Sequence, residues 1–179
     1  ALEVAATYPD TKFICTEADA AADNVASYVM ACEQTAYVEG IIAASMTKSG
    51  KIGAIGPIPG DSLVKIINGY EDGAKTINPD IDVQTAWTNS FVDTQLAQEA
   101  AKAMIENGAD VIKHCANACG NGAMSAAVDA NIWCQGDSYD QSSLAPNNIL
   151  DSAIYNLDVV LDKAIGSVVE GSFSGDVYN

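Results

Sequence analysis

The chain has one histidine and only eight lysines and arginines among its 179 residues. Each scarcity removes a class of function. Set against 24 aspartates and glutamates, the basic residues leave a formal charge of -16, which repels phosphate backbones and anionic membrane surfaces. Nucleic acid is therefore not an expected partner. A single histidine narrows general-base chemistry. The GxGxxG, GxxxxGK[ST] and GxSxG patterns of dinucleotide, phosphate and hydrolase sites are absent. No run approaches the roughly 18 consecutive apolar residues of a membrane span, and no basic-then-apolar leader opens the sequence. These gaps argue against an enzyme, so no catalytic residue and no cofactor are expected.

The cysteines are few and odd in number: Cys15, Cys32, Cys115, Cys119 and Cys134. An odd count argues against a full disulfide framework, and thiols in apolar strands pack as small hydrophobes. His114, Cys115 and Cys119 lack the paired spacing of a zinc ribbon and no second pair follows, so buried thiols beside a core-edge histidine are expected and no metal. His114 does not activate Cys115 either, because neighbours on a strand face opposite ways.

What is present is 49% hydrophobic content, enough to bury a core in one medium domain or two small lobes. The carboxylates are scattered, as on a solvated surface. The opening ALEVAATYPD already follows a helical pattern, which reads as a domain entered partway.

Strand and helix then alternate. Residues 12–16 and 24–28 read as extended, and residues 32–46 as a long amphipathic helix. Gly50 caps that helix before the buried strand KIGAIG. Ser62 or Asp61 is placed to cap a helix over residues 63–76, followed by a strand over 82–88. Asp93 or Thr94 caps a helix over residues 95–107. Residues 108–122, GADVIKHCANACGNG, form the stretch around which the rest is organised: a buried strand over 109–114 runs into a turn and cap made by Asn117, Gly120 and Asn121. Unpaired N–H groups at such a helix start suit an anionic or hydroxyl-rich ligand. A strand over residues 131–135, a loop over 136–140 and a last helix over 150–169 complete the chain. Short strands alternating with long helices imply an α/β fold with largely parallel sheets.

The strand ends carry Glu17, Phe91, Asp93, Asn117, Asp137 and Asp140. One ring among carboxylates and amides suits a flat, neutral, hydroxylated molecule, with the ring stacking and the acidic groups accepting hydrogen bonds. Core packing for Phe91 and helix capping for Asp93 and Asp140 are the competing readings. Joint placement at carboxyl ends of strands favours the ligand.

Several runs carry a resemblance: NVASYVMACEQTAYVEGIIAASMTKSGKIG, INGYEDGAKTINPDIDV, SFVD, ENGADVI and SYDQSSLAP, in order along nearly the whole chain. Together they resemble the basic membrane protein family, the purine-nucleoside-receptor type of solute-binding lipoproteins of bacterial ABC transporters. The resemblance implies a type I periplasmic-binding-protein fold of two Rossmann-like lobes with parallel sheets. Residues 1–28 and 141–179 would form a partial first lobe whose N-terminal part precedes Ala1, and residues 29–140 the second.

It also implies an extracytoplasmic receptor, lipid-anchored through a segment outside this chain, that holds a nucleoside in an inter-lobe cleft and delivers it to a permease. By the same resemblance Phe91 stacks on the purine, the glycine-rich turn falls on residues 117–122, the acidic loop for ribose hydroxyls falls on residues 137–140, and an acidic strand end falls near Glu17. Lobe closure would hinge near Ser27 and Asp140. Departures from the family are Asn117-Ala118 in place of its Gly-Gly turn, Ser138 at the leading acidic position unless Asp137 shifts into place, and Tyr155 where it carries lysine. A ligand-sensing regulatory module of the same fold and a receptor for a sugar-like ligand are the alternatives.

Overall fold

Short apolar runs punctuated by glycine, proline and asparagine build eight strands and six helices. The computed structural model describes residues 1–179, which divide into two compact units, Ala1–Ala31 with Tyr155–Asn179, and Cys32–Ile154. The passages between them fall after Ala31 and after Ile154, because the segment after residue 140 supplies a strand to the larger unit.

In the smaller unit, α1 (Leu2–Thr7) precedes β1 (Phe13–Thr16) and β2 (Val25–Tyr28), and the chain returns through α6 (Leu157–Val169) to β8 (Val177–Tyr178). The sheet is parallel in the order β1-β2-β8. Its core is Ala26, Tyr28 and Ala164, with Ile14, Val160, Phe173 and Tyr178 packed against them. The Tyr28 and Tyr178 rings stack at 4.8 Å. Asn24 ties the opening helix and turn to the sheet, its Nδ2 donating to Ala5 O, Tyr8 O and Thr11 O at 3.0–3.1 Å.

The larger unit holds α2 (Cys32–Met46), β3 (Lys51–Gly56), α3 (Asp61–Ile77), β4 (Asp82–Trp87), α4 (Thr94–Glu106), β5 (Val111–His114), α5 (Asn117–Asp129), β6 (Trp133–Gly136) and β7 (Ile149–Ser152). All five strands are parallel, in the order β4-β3-β5-β6-β7. One face carries Ile55, Ile112 and Cys134 into a core with Ala97 and Ala101 of α4 and Ala123 and Ala127 of α5. Alternation turns Lys113 and Gln135 to the other face, where both meet Glu39 of α2.

Four expectations fail on particular residues. The helix read over residues 150–169 is two elements: its first residues become β7, because β6 has an open edge and Cys134 N finds Asn148 O at 2.7 Å. An apolar run of that length satisfies either period, and pairing decides it. The last helix does not complete the chain: β8 follows it and pairs with β2, and Gly175 allows the approach, since a Cβ there would sit 1.6 Å from Ala22 O. Neither Asp61 nor Ser62 caps α3, which is preceded by Gly60 without a side-chain cap. Asn117 opens α5 itself at φ 48°, and Gly120 and Asn121 lie inside the helix.

Glycine sets the helix spacing on the α2/α3 side. A Cβ at Gly40 would lie 2.0 Å from Tyr70 O, and one at Gly73 would lie 1.9 Å from Tyr37 O. These clashes are with backbone, so no side-chain rotation relieves them. Gly73→Ala is expected to destabilise the chain by about 1–3 kcal/mol in denaturant unfolding, as overpacking does. Gly166→Ala, in α6 with nothing within 4 Å of its Cβ, is expected to stabilise by about 0.5–1 kcal/mol.

Candidate functional site

Because the strands of the larger unit are all parallel, their carboxyl ends lie along one edge of the sheet. The chain passes from β3 to β4 on one side and then to β5 on the other, which makes β3 and β5 the switch point where α/β sheets hold ligands. Phe91, Asp93, Asn117, Asp137 and Asp140 all follow strands at this edge.

The Phe91 loop is shaped by local hydrogen bonds. Asn89 adopts φ 55°, and Ser90 Oγ accepts from Val92 N at 3.2 Å and Asp93 N at 3.0 Å. Asp93 caps α4, its Oδ1 accepting from Gln95 N at 3.0 Å. The turn leaves Phe91 40% exposed, an unusual position for a ring that serves only packing. Cys119 joins this loop to α5: its N–H donates to Phe91 O at 3.1 Å, and its Sγ donates to Asp93 O at 2.9 Å. The thiol is thus a buried tie between the aromatic loop and the helix whose first residue is the exposed Asn117.

The acidic loop is anchored by Gln141 and His114. Gln141 Oε1 accepts from Asp137 N at 2.8 Å and lies 3.0 Å from His114 Nε2, so Nε2 carries the proton and Nδ1 faces Ala116 N at 3.5 Å. Gln141 N donates to Ser152 Oγ at 3.1 Å. Asp137 is buried and its Oδ2 accepts from Ser138 Oγ at 2.7 Å, with Ser138 at φ 70°. Asp140 is exposed, and its Oδ1 accepts from Ser142 N at 2.9 Å, which draws the carboxylate below its ordinary range.

Glu17 belongs to the smaller unit. It closes β1 at φ 55°, half-buried, with Oε1 accepting from Met30 N at 2.8 Å. Ser27, also of this unit, is buried in β2 with Oγ donating to Ala20 O at 2.6 Å. The chain passes between the units at Ala31–Cys32 and again at Ile154–Tyr155, so the second passage lies beyond Asp140.

Reading the sequence missed Gln141 and the charged layer behind the edge. Lys113 and Glu39 form a buried ion pair, and Gln135 Nε2 reaches Asp151 Oδ2 at 3.0 Å. Burial works against the Lys113 ammonium, but Glu39 and Asp137 outweigh it and its pKa is raised. Burial carries Cys115 up to about 12, so this thiol is inert. The available signal was a lysine and a glutamine inside the apolar strands VIKH and WCQG, and a glutamate in the apolar stretch of α2.

Burial, with Lys113 nearby, lowers the His114 pKa from 6.5 to about 4. A depressed histidine stabilises the fold above its unfolded pKa, and that contribution is lost as the pH falls toward about 4. Relative to His114→Asn, the parent chain is expected to lose up to about 3 kcal/mol of stability between about pH 6.5 and about pH 4, read by urea unfolding at each pH.

An exposed ring, an amide and several carboxylates thus follow the strands at the carboxyl edge of a parallel sheet, where α/β folds hold ligands. Comparison with known proteins identifies the kind. The pattern of the family described as ABC transporter substrate-binding protein PnrA-like matches residues 1–177, and the chain belongs to this family. It is 35% identical over 153 residues to a purine-binding protein of Brucella abortus, covering 86% of this chain and 43% of that protein. It is 29% identical over 175 residues to a putative ABC transporter glucose-binding protein of Haloferax volcanii, covering 98% of this chain and 44% of that protein. The chain thus spans less than half the length of these relatives.

Among solved structures it superposes on an ABC transporter solute-binding protein from Aeropyrum pernix with a TM-score of 0.89 at 28% identity, over 98% of this chain and 53% of that one. A transcriptional activator of the comK gene from Bacillus halodurans shares the fold, with a TM-score of 0.85 at 23% identity, over 98% of this chain and 62% of that one. The fold is of the type I periplasmic-binding kind. Members of the family are solute-binding proteins and not enzymes.

Proposed function

We propose that this chain is part of an extracytoplasmic receptor of an ABC importer and that it holds a nucleoside, a purine nucleoside in the first instance, for delivery to a permease. The observation that carries the ligand class is Phe91, exposed at the end of β4 with its backbone pinned to α5 by Cys119. A ring held in place but left uncovered presents a stacking face at little entropic cost. Asn117 at the start of α5 offers an amide and unpaired N–H groups to sugar oxygens, and Asp137 and Asp140 accept from ribose hydroxyls. Asp93 belongs to the same edge, with one carboxylate oxygen engaged by backbone, and in the smaller unit Glu17 offers a further carboxylate, likewise with one oxygen engaged by backbone. The relative named as purine-binding supports this choice of base. In the full-length receptor, attachment to the membrane would be through a lipid anchor outside these residues.

The glucose-binding name of the Haloferax volcanii relative favours a second reading, in which the same acidic loop takes a free sugar. The shared fold of the comK activator keeps a third, a ligand-sensing regulatory module with no permease.

Calorimetric titration against adenosine, guanosine, inosine, cytidine, ribose and glucose separates these readings. Saturable binding of a nucleoside is expected, with Phe91→Ala costing about 1–3 kcal/mol, as loss of a base-stacking ring does. Unchanged affinity in Phe91→Ala removes the stacking role. Binding of ribose or glucose alone replaces the nucleoside by a sugar, and binding of none shifts the weight to the regulatory reading.

A further inference from the structure

Behind the ligand edge, the α2/α3 face of the five-stranded sheet holds a polar cluster that nucleoside binding does not use. Lys113 and Gln135 are register partners on β5 and β6 and share this face. The β6–β7 register shifts between Cys134 and Gly136, so Leu150 and Asp151 together oppose Gln135. That bulge brings the Asp151 carboxylate onto Gln135 Nε2, at 3.0 Å to Oδ2 and 3.3 Å to Oδ1. The same nitrogen donates to the backbone oxygen of Glu39 at 2.9 Å. Lys113 Nζ holds Glu39 Oε2.

Two features remain unexplained by these bonds. Glu39 Oε1 is buried with no donor, and the Asp151 carboxylate rests on the same Gln135 nitrogen that donates to the backbone oxygen of Glu39. Ionised carboxylates only accept, so the buried oxygen gains a donor when a proton sits between the two acids. The charges around the cluster point the same way. Glu39, Asp151 and Asp137 set three carboxyl groups around a single ammonium, Lys113. The other titratable groups facing Glu39 are Tyr70 of α3 and Cys115 beyond β5, and both are neutral near pH 7.

We propose that Glu39 and Asp151 share one proton in the folded chain, making the cluster a proton-binding site that joins α2 to β7. The cause is burial: it carries Glu39 from 4.5 up to about 7 against the pull of Lys113, and it raises Asp151 as well. A carboxyl group with a raised folded pKa contributes stability that is complete below its unfolded pKa and is lost as the pH climbs through about 7. The position of the pair gives the proton leverage. α2 is the first element of the larger unit and β7 the last, so the proton ties together the segments by which the chain enters and leaves that unit.

The test is urea unfolding of the chain and of Glu39→Gln from about pH 4.5 to about pH 8.5; His114, which acts in the opposite sense, is common to both and cancels in the comparison. Glutamine keeps a donor toward Asp151 and does not titrate. The parent's folding constant is expected to fall up to about tenfold per pH unit relative to the variant as the pH rises toward about 7, and to level off above it. Parallel profiles overturn the proposal. Isotope-edited infrared difference spectra of the parent with labelled glutamate decide the matter if the variant fails to fold. A protonated-carboxyl stretch that disappears between about pH 6 and about pH 8.5 supports the shared proton, and its absence at the lower pH overturns it.

Discussion

Parallel pairing of β3 with β5 is the constraint on which the larger unit depends. Parallel neighbours cannot be joined by a tight turn, so each strand must be followed by a long crossover, and here each crossover but the last contains a helix. Covering helices make both faces interior, which accounts for near-continuous apolar strands such as KIGAIG. With every strand pointing the same way, all strand-to-helix turns collect at one edge. The candidate ligand groups of this unit lie along one edge for this reason, although they are spread over residues 91–140 of the sequence.

The turns at that edge hold their shape because polar groups reach into them from the packed side. Cys119 fixes the aromatic loop to α5, and Gln141 fixes the acidic loop to His114. Neither anchor is exposed, so candidate residues such as Phe91 and Asp140 are presented without being buried themselves. His114 in turn requires Gly120, since a Cβ there would lie 1.9 Å from its Nδ1. One histidine, neutral and enclosed, thus serves as a strut and has no acid–base part.

Much of this was legible beforehand. Glycine and proline punctuation and the length of each apolar run located α2 and β3 to the residue, and the order of strands and helices implied the parallel sheets. The resemblance placed the chain in its family. Two failures share a cause: residues 149–152 and 177–178 become strands through partners distant in sequence, and no local period records an open edge. Residue type flagged Phe91 and the carboxylates and offered Asp93 the helix cap that it makes, but it gave no sign that Asp140 and, in the smaller unit, Glu17 each give one oxygen to a backbone N–H outside any helix cap. The Glu39–Lys113 pair was hidden for a different reason: its partners are 74 positions apart. Each residue alone looked like a stray polar group.

The bulge in β7 makes strand register, and not composition alone, responsible for the inner charge of this unit. With two residues set against Gln135 on the neighbouring strand, Asp151 faces the buried lysine while Ser152 still meets Gly136 in register. Pairing without the bulge, from Cys134 and Ile149 onward, would set Asp151 against Gly136 and turn the carboxylate to the opposite face of the sheet. In a lineage of such receptors, a slip of register at this point is therefore equivalent to a change of charge in the interior, with no substitution needed.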